Sequence, residues 1–346
     1  MEGEKYLKEA ASIFAKIMKV KEKEIFFTSG GTESNNWALF GSAMANKRAG
    51  NHIITTAIEH PAVLEPIRFL ESQGFRVTVL PVDRNGILSM EALEESLTED
   101  TILVSTMYVN NEMGAVQPIE AIGKLVHEKC PKALFHVDAI QAFGKYEIYP
   151  KRMGIDLMSA SGHKVHGPKG VGLLYMSETA KVLPIIYGGG QQKGMRAGTD
   201  NVSAIAGFGE AVKEIYKNRE EKNAYLYELK EYMIQRLKEI ENVSIHGSHD
   251  RSISAPHIIN AAFNGIGSEV MLHTLEDRQI YVSAGSACST HKRAKSATLT
   301  AIGANKEELN SSVRFSFTEE NTKEEVDTVI EVLKQVVPML RRYRAH

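Results

Sequence analysis

The sequence has very little cysteine and no long apolar run. Its 346 residues include two cysteines, Cys130 and Cys288, which are too few for a disulfide framework and form no CxxC metal-binding pair. No apolar run approaches the ~18 residues of a membrane-spanning helix, and the residues after Met1 do not form a signal peptide. The 41 basic and 43 acidic residues lack the basic excess typical of nucleic-acid-binding proteins. These absences predict a cytoplasmic globular protein that binds neither a membrane nor nucleic acid.

Strands and helices alternate along the chain after a first amphipathic helix of about seventeen residues. Between residues 24 and 161, short apolar strands are joined by helices, which predicts a mostly parallel sheet covered on both faces. Beyond residue 199 the pattern is mainly helical, with a few short strands. We therefore predict a large α/β domain over residues 1–218 and a smaller α+β domain over residues 219–346.

A strand turns through two glycines into a helix in the segment FFTSGGTESNN, residues 26–36. Such a turn exposes unpaired N–H groups at the positive end of the helix dipole, where a phosphate can bind. The alternative is an ordinary strand–helix turn with a Ser or Thr cap. The GxxxxGK[ST] spacing of a P-loop is absent, which disfavours nucleotide hydrolysis.

Two polar residues follow apolar strands, where ligand crevices open in α/β proteins. Asp138 is the last residue of the segment HVD, and its carboxylate either pairs with a cation or caps the next loop. Lys164, in SASGHKVHGPKG, is either a surface lysine in a hairpin or an amine nucleophile activated by desolvation. With the glycine turn, this pair resembles a pyridoxal-phosphate site, which needs a Schiff-base lysine, an acid for the pyridinium nitrogen and a phosphate cradle.

Three further segments carry polar residues that could contact a cofactor or a substrate. His60, in IEHP, is either structural or a ring stacked on a pyridine. Asn111, in YVNNEMG, either fixes its own loop or reaches the cofactor and a substrate carboxylate. The glycine-rich segment GGGQQKGMRAGT contains Arg196 and Thr199, which favours an anion-contacting loop over a flexible linker.

Cys288 lies among small residues and just before basic ones, in SAGSACSTHKR. Nearby cations would raise its thiolate fraction, whereas Cys130 has no such setting and is interpreted as structural.

Arg314 lies on a strand, SVRFSFT, whose alternate residues are apolar. An arginine there needs an anion, which is either a substrate carboxylate bound through two hydrogen bonds or a structural salt-bridge partner.

Taken in chain order, these segments resemble the cysteine desulfurases of pyridoxal-phosphate fold type I, within the class V aminotransferase superfamily. The resemblance runs over nearly the whole chain. The motifs that carry it are FTSGGTESNN, EH, VNNEMG, HVDAIQ, SGHKVHGPKG, GMRAGT, SAGSACS and SVRFS. It implies this α/β fold, with Cys288 and Arg314 in the smaller C-terminal domain.

The resemblance also implies a role for each candidate site residue. Lys164 would hold pyridoxal 5'-phosphate covalently, Asp138 would pair with its pyridinium nitrogen, and His60 would stack on the ring and assist proton transfer. The phosphate would be bound by Gly31, Thr32, Ser161 and His163, and by Thr199 across a homodimer interface. Gln141 and Asn111 would hydrogen-bond the phenolic oxygen. Arg314, together with Asn111, would bind the carboxylate of L-cysteine.

The implied reaction converts L-cysteine to L-alanine. Lys164 would remove the α-proton, and Cys288 would attack the substrate sulfur and retain it as a persulfide. The long segment from Cys288 to Gly303 resembles the family branch that passes sulfur to several acceptors, such as an iron–sulfur scaffold or a tRNA-thiolation enzyme. Selenocysteine lysis and aminotransfer remain alternatives, although aminotransfer has no use for a thiol at Cys288.

Family members carry an N-terminal segment, with a motif of the type LDNAATTxP, before the helix that opens this chain. This sequence has no such motif. We therefore expect a chain that is truncated relative to the family. The expectation adds an alternative from a different class, a catalytically impaired chain that binds pyridoxal phosphate and acts as a partner protein.

Overall fold

The computed structural model describes residues 2–284 and 296–344. Its contacts divide the chain into two units. Unit 1 consists of residues 1–81, 88–109 and 117–219, and unit 2 of residues 82–87, 110–116 and 220–346. Two short stretches that we assigned from the sequence to the large domain therefore belong to unit 2. The boundary at residues 218/219 stays a prediction.

Unit 1 is built around a seven-stranded sheet with the order β1-β7-β6-β5-β4-β2-β3. Its strands β1 to β7 are Ile25–Thr28, His52–Thr56, Arg76–Leu80, Thr101–Met107, Leu134–Asp138, Leu157–Ser161 and Gly172–Met176. Strands β3, β2, β4, β5 and β6 run parallel to one another, while β7 is antiparallel to both of its neighbours. Every position of β2, β4, β5, β6 and β7 is buried, as expected for a sheet covered on both faces. The predicted α/β class with a mostly parallel sheet is confirmed.

The described part of unit 1 contains seven complete α-helices. These are α1 Glu2–Met18, α2 Gly31–Asn36, α3 Ser42–Asn46, α4 Pro61–Ser72, α5 Met90–Ser96, α6 Ile119–Lys129 and α7 Val202–Tyr216. The sequence pattern predicts a helix over residues 32–45. Within this span, a π-helical turn, Trp37–Gly41, joins α2 to α3, and such insertions leave no clear mark in hydrophobic periodicity.

Helix α1 buries its apolar face within unit 1. Phe14 is completely buried and makes aromatic contacts with Phe27, Phe143 and Phe208. A Cβ atom at Gly209 on α7 would lie 3.2 Å from the Cβ of Ala10, so the glycine permits close packing of the two helices. The opening helix is therefore an integral part of the core of unit 1.

Unit 2 contains a four-stranded antiparallel sheet with the order β10-β11-β9-β8. Its strands β8 to β11 are Val243–His246, Ile258–Phe263, Ser283–Ala284 and Ser312–Ser316. Its helices are α8 Arg219–Leu237 (whose first residue belongs to unit 1), α9 Ser268–Glu276, α10 Ala297–Ala301, α11 Lys306–Ser311 and α12 Lys323–Arg344. Helices α8 and α12 share one hydrophobic core with β9 and β11. Among the described residues, no helix is long and apolar enough to cross a membrane.

Replacing Phe14 with alanine should reduce the free energy of unfolding by about 3–5 kcal/mol, because the change leaves a cavity among three aromatic rings. Urea unfolding followed by circular dichroism would measure this loss. Tyr6→Ala, at an exposed position on the same helix, is the matched control and should cost far less. Equal losses for the two variants would contradict the packing of α1 described above.

Candidate active site

Unit 1 gathers polar residues at the carboxyl ends of its parallel strands. Asp138 is the last residue of β5, and Ser161 is the last residue of the neighbouring strand β6. Lys164 follows Ser161 in the 3-10 turn Gly162–Val165. His60 comes four residues after the end of β2. Because these strands are parallel, their carboxyl ends share one edge of the sheet, which is where ligand sites form in α/β folds.

Asp138 is a buried carboxylate with neutral hydrogen-bond donors. Its Oδ2 accepts from the side-chain amide of Asn35 at 2.8 Å, and its Oδ1 accepts from the N–H of Ile140 at 3.0 Å. Burial raises the pKa of Asp138, whereas these two donors, His60 and the Lys164 ammonium oppose that shift. Within residues 2–284 and 296–344, no cation forms an ion pair with Asp138. The site is therefore suited to a ligand that brings a positively charged N–H group.

His60 caps helix α4 through one ring nitrogen. Its Nδ1 accepts from the N–H of Ala62 at 3.0 Å, and Pro61 occupies the first position of the helix. An accepting Nδ1 places the proton of the neutral ring on Nε2. Burial lowers the pKa of His60, opposed by Asp138 and reinforced by Lys164. The ring is thus a neutral, oriented group that can donate a hydrogen bond through Nε2.

Glu59, beside His60, is an almost fully buried carboxyl group that the sequence patterns did not single out. Its Oε1 accepts from the hydroxyl of Thr56 at 2.6 Å and from the N–H of Met107 at 2.8 Å, so it links the ends of β2 and β4. Its Oε2 is buried without a hydrogen-bond partner. Burial raises the pKa of Glu59 to about 8, so the group is mainly a neutral acid at pH 7.

The glycine turn between β1 and α2 packs tightly against the same edge. Gly30 has φ +154°, a conformation that side chains disfavour. A Cβ at Gly31 would lie 2.2 Å from the Cδ1 of Ile140 and 3.5 Å from the Cβ of Ser161. The absence of a side chain therefore brings the first turn of α2 beside Ser161. The N–H groups of that turn lack intrahelical acceptors, and the exposed Thr32 adds a hydroxyl.

Ser161 and His163 form the second half of the predicted phosphate cradle. The Ser161 hydroxyl lies 2.8 Å from the Nδ1 of His163 and is itself buried. Burial and the nearby lysines, Lys164 and Lys169, lower the pKa of His163. A hydroxyl and an imidazole beside a glycine turn are donors of the kind that phosphate oxygens accept from.

Lys164 is exposed to solvent, as is Thr199. The side chain of Lys164 is exposed in the single chain, and its role as a desolvated amine nucleophile stays a prediction. Lys164 nevertheless lies close enough to Asp138 and His60 to shift the pKa of both. Gln141 is partly buried and lies three residues after Asp138.

Arg196 does pair with an anion, but the anion belongs to the same chain. Its guanidinium donates from Nε and Nη2 to the two carboxylate oxygens of Glu33, at 2.9 and 3.1 Å. Hydrogen bonds from Arg196 and from the Ser29 N–H lower the pKa of Glu33, although burial opposes them. The arginine thus anchors the glycine-rich loop to the start of α2.

Unit 2 holds the remaining candidates that the structure describes. Arg314 on β11 donates to the carbonyl oxygen of Asn111 at 2.9 Å and to the hydroxyl of Ser283 at 3.0 Å. The adjacent Glu112 accepts from the hydroxyl of Ser296 at 2.5 Å. Arg314 and Asn111 are therefore neighbours, as the sequence prediction requires, whereas Cys288 lies outside the described residues.

The described residues of unit 1 fit pyridoxal 5'-phosphate. Asp138 is a buried carboxylate to which a pyridinium N–H can donate a hydrogen bond. The glycine turn, together with Ser161 and His163, provides donors for a phosphate. Lys164 supplies a primary amine on the same edge of the sheet. The three requirements of such a site are therefore present within one unit.

Comparisons with known proteins agree with this geometry. Residues 2–329 match the family model described as aminotransferase class-V. The chain is 44% identical to the cysteine desulfurase IscS of Clostridium botulinum over 328 residues, covering 94% of this chain and 82% of that protein. It is 43% identical to the cysteine desulfurase IscS of Methanosarcina thermophila, covering 94% and 80%. A solved NifS-like protein superposes with a TM-score of 0.92 at 35% identity, covering 98% of this chain and 89% of that one.

The chain belongs to the cysteine desulfurase family. This family falls within the class V aminotransferases, whose members are pyridoxal-phosphate enzymes. The family and fold predicted from the sequence are confirmed. The roles of individual residues remain predictions.

In this cysteine desulfurase homologue, three residues contact or directly adjoin the candidate site residues but were not selected from the sequence. They are Asn35, Glu59 and Glu33. Asn35 is buried and bound to Asp138 across 103 positions of sequence. Its motif, TESNN, is part of the glycine turn, so the signal was present, but nothing in it indicated which amide faces Asp138. Glu59 precedes the histidine that we selected, and Glu33 lies in the same turn as Thr32.

Replacing Glu59 with glutamine should abolish a specific pH dependence of stability. A carboxyl whose pKa is raised from 4.5 to about 8 on folding keeps its proton while the unfolded chain loses it. The wild type should therefore lose about 1.4 kcal/mol of unfolding free energy per pH unit as pH rises through that window. Glu59→Gln resembles the protonated acid, so it should become progressively more stable than the wild type.

Urea unfolding of the cofactor-free chain at a series of pH values measures this difference. Glu65→Gln, which removes an exposed carboxylate of helix α4, is the control for the loss of one acidic group. A constant difference between Glu59→Gln and the wild type from acid to neutral pH would show that Glu59 is ionised in the fold.

Proposed function

We propose that this chain is a pyridoxal-phosphate-dependent cysteine desulfurase that converts L-cysteine to L-alanine and retains the sulfur on Cys288. The observation that carries the proposal is the buried Asp138 carboxylate, which accepts from the neutral donors Asn35 and Ile140, on the same sheet edge as Lys164 and a glycine turn. Its support from other proteins is the 44% identity to a cysteine desulfurase over 94% of the chain.

Within the proposal, unit 1 holds the cofactor. Lys164 is the covalent attachment point, and Asp138 accepts from the pyridinium N–H. The phosphate would be held by the glycine turn, through Gly31 and Thr32, and by the end of β6 and the turn after it, through Ser161 and His163. The partner's Thr199 would add a hydroxyl. Thr199 is exposed in the single chain, which is compatible with a contribution across a dimer interface. The cofactor, when bound, supplies an electron sink for negative charge at the α-carbon of an amino acid.

The chain's own groups then divide the remaining tasks. The amine of Lys164 takes the α-proton. His60, whose Nδ1 accepts from the N–H of Ala62, would stack on the ring and assist proton transfer through Nε2. Gln141 and Asn111 donate to the phenolic oxygen. Buried Asn35 keeps Asp138 in orientation through its 2.8 Å hydrogen bond.

In unit 2, Arg314 is proposed to bind the carboxylate of L-cysteine together with Asn111. A guanidinium can hold a carboxylate through two parallel hydrogen bonds, and the existing bond from Arg314 to the Asn111 carbonyl keeps the two residues adjacent. The bond from Arg314 to Ser283 further limits the rotation of the guanidinium.

The sulfur transfer is a nucleophilic displacement at sulfur. The Cys288 thiolate attacks the substrate sulfur, an S–S bond forms, and the C–S bond breaks with its electron pair remaining on the substrate carbon. That carbon takes a proton, L-alanine leaves, and the persulfide passes to an acceptor such as an iron–sulfur scaffold or a tRNA-thiolation enzyme. Thiol-free aminotransfer would leave Cys288 without a task.

Alanine and sulfide formation from L-cysteine, with a reductant and added pyridoxal phosphate, tests the proposal. Cys288→Ala should keep the visible absorbance of the bound cofactor while product formation falls about a hundredfold or more. Cys130→Ala is the matched control, since Cys130 is buried and its Sγ donates to the Thr98 carbonyl. Lys164→Ala should lose both the cofactor's covalent absorbance and turnover.

Sulfide release at the wild-type rate from Cys288→Ala would refute the persulfide assignment. Cofactor loading without any alanine in the wild type would instead favour the partner-binding alternative. Selenocysteine offered as a competing substrate separates desulfuration from selenocysteine lysis, because a lyase would strongly prefer selenocysteine.

A further inference from the structure

Lys230 is a buried lysine in unit 2 that has no role in the proposed function. It lies on helix α8 and is only 6% exposed. Its ammonium donates to the hydroxyl of Ser254 and to the carbonyl of Ala255, both at 2.7 Å. Both acceptors are neutral. Since an ammonium has three donors, one N–H remains beyond these two bonds.

A cavity of about 190 Å³ opens beside this ammonium. Its lining comes from helix α8, the turn that follows this helix and the loop between β8 and β9. The polar and charged side chains that line it include Lys230, Glu231, Lys238, His249 and Ser254. Two cations and an imidazole therefore face one small space.

The acidic member of this lining is already neutralised. Glu231 accepts two hydrogen bonds from the guanidinium of Arg251, at 2.7 and 2.8 Å. The effect of the cations appears at His249, whose pKa is lowered by burial and then by Lys238 and Lys230. Among the described residues of the lining, Lys230, Lys238 and His249 face Glu231 as the one carboxylate, which is paired with Arg251 and also attracts the Lys230 ammonium.

We propose that this cavity is a binding site for a small oxyanion of the phosphate class, held by Lys230, Lys238 and His249. A tetrahedral oxyanion accepts several charge-assisted hydrogen bonds at once, which suits donors that converge from a helix and a loop. It also removes the cost of a buried ammonium that lacks an anionic partner. All of its residues belong to unit 2.

The proposal gives a direction to the pH dependence of binding. The charged groups that face Lys230 are Glu231 on α8, Lys238 in the turn just after it, and His249 and Arg251 on the loop, with Glu231 and Arg251 paired to each other. Burial lowers the pKa of Lys230 to about 8. Because the oxyanion needs the protonated ammonium, its affinity should fall as pH rises through about 8.

The test uses the chain loaded with pyridoxal phosphate, so that the phosphate site of unit 1 is filled. Inorganic phosphate is titrated at constant ionic strength, with chloride as the exchanged anion. The ring resonance of His249, assigned by its absence in His249→Gln, reports binding by NMR. We expect the His249 resonance to shift saturably with phosphate and the pKa of His249 to rise. Sulfate should give the same response, and its affinity should fall as pH rises through about 8.

Variants at the edge of the cavity separate binding from folding, because Lys230 also anchors the Ser254–Ala255 backbone. Lys238→Gln should weaken phosphate binding about tenfold, and Glu231→Gln should strengthen it. Lys306→Gln, an exposed lysine of unit 2 outside the cavity, should leave the affinity unchanged. An unsaturable response of His249, or equal affinities in Lys238→Gln, Glu231→Gln and Lys306→Gln, would overturn the proposal.

Discussion

The carboxylate of Asp138 is the constraint around which unit 1 is organised. A buried charge is costly unless donors or a cation answer it, and here two neutral donors, from Asn35 and Ile140, hold both oxygens in place. The donors come from different parts of the chain, one from the glycine turn and one from the loop after β5. The close fit of Gly31 against Ile140 brings these two segments together.

Burial favours the uncharged forms of the titratable side chains near Asp138. Glu59 is mainly neutral because its pKa is raised to about 8, and burial lowers the pKa of His136, on the same strand as Asp138, to about 3. His60 is also shifted towards its neutral form. Asp138 and Lys164 therefore provide the main opposing charges at this edge, an arrangement that suits a cofactor with a cationic ring nitrogen and an aldehyde.

Sequence patterns predicted what depends on local periodicity and on motif chemistry. The parallel strands, and the placement of Asp138 and Ser161 at strand ends, follow from apolar segments that stop at polar residues. The patterns did not predict the π-helical turn at Trp37–Gly41 or the Arg196–Glu33 pair. These features depend on contacts between distant segments, and such contacts leave no periodic signal in the chain.

The dissociation constant of pyridoxal phosphate for the wild type and for Asp138→Asn tests the central claim most directly. Asparagine keeps the size of the side chain but removes the charge that answers a pyridinium N–H. The account predicts binding weaker by about tenfold or more in the variant, the value of one lost charge-assisted hydrogen bond. Equal affinity in the two proteins would contradict it, because the buried carboxylate would then have no role in holding the cofactor.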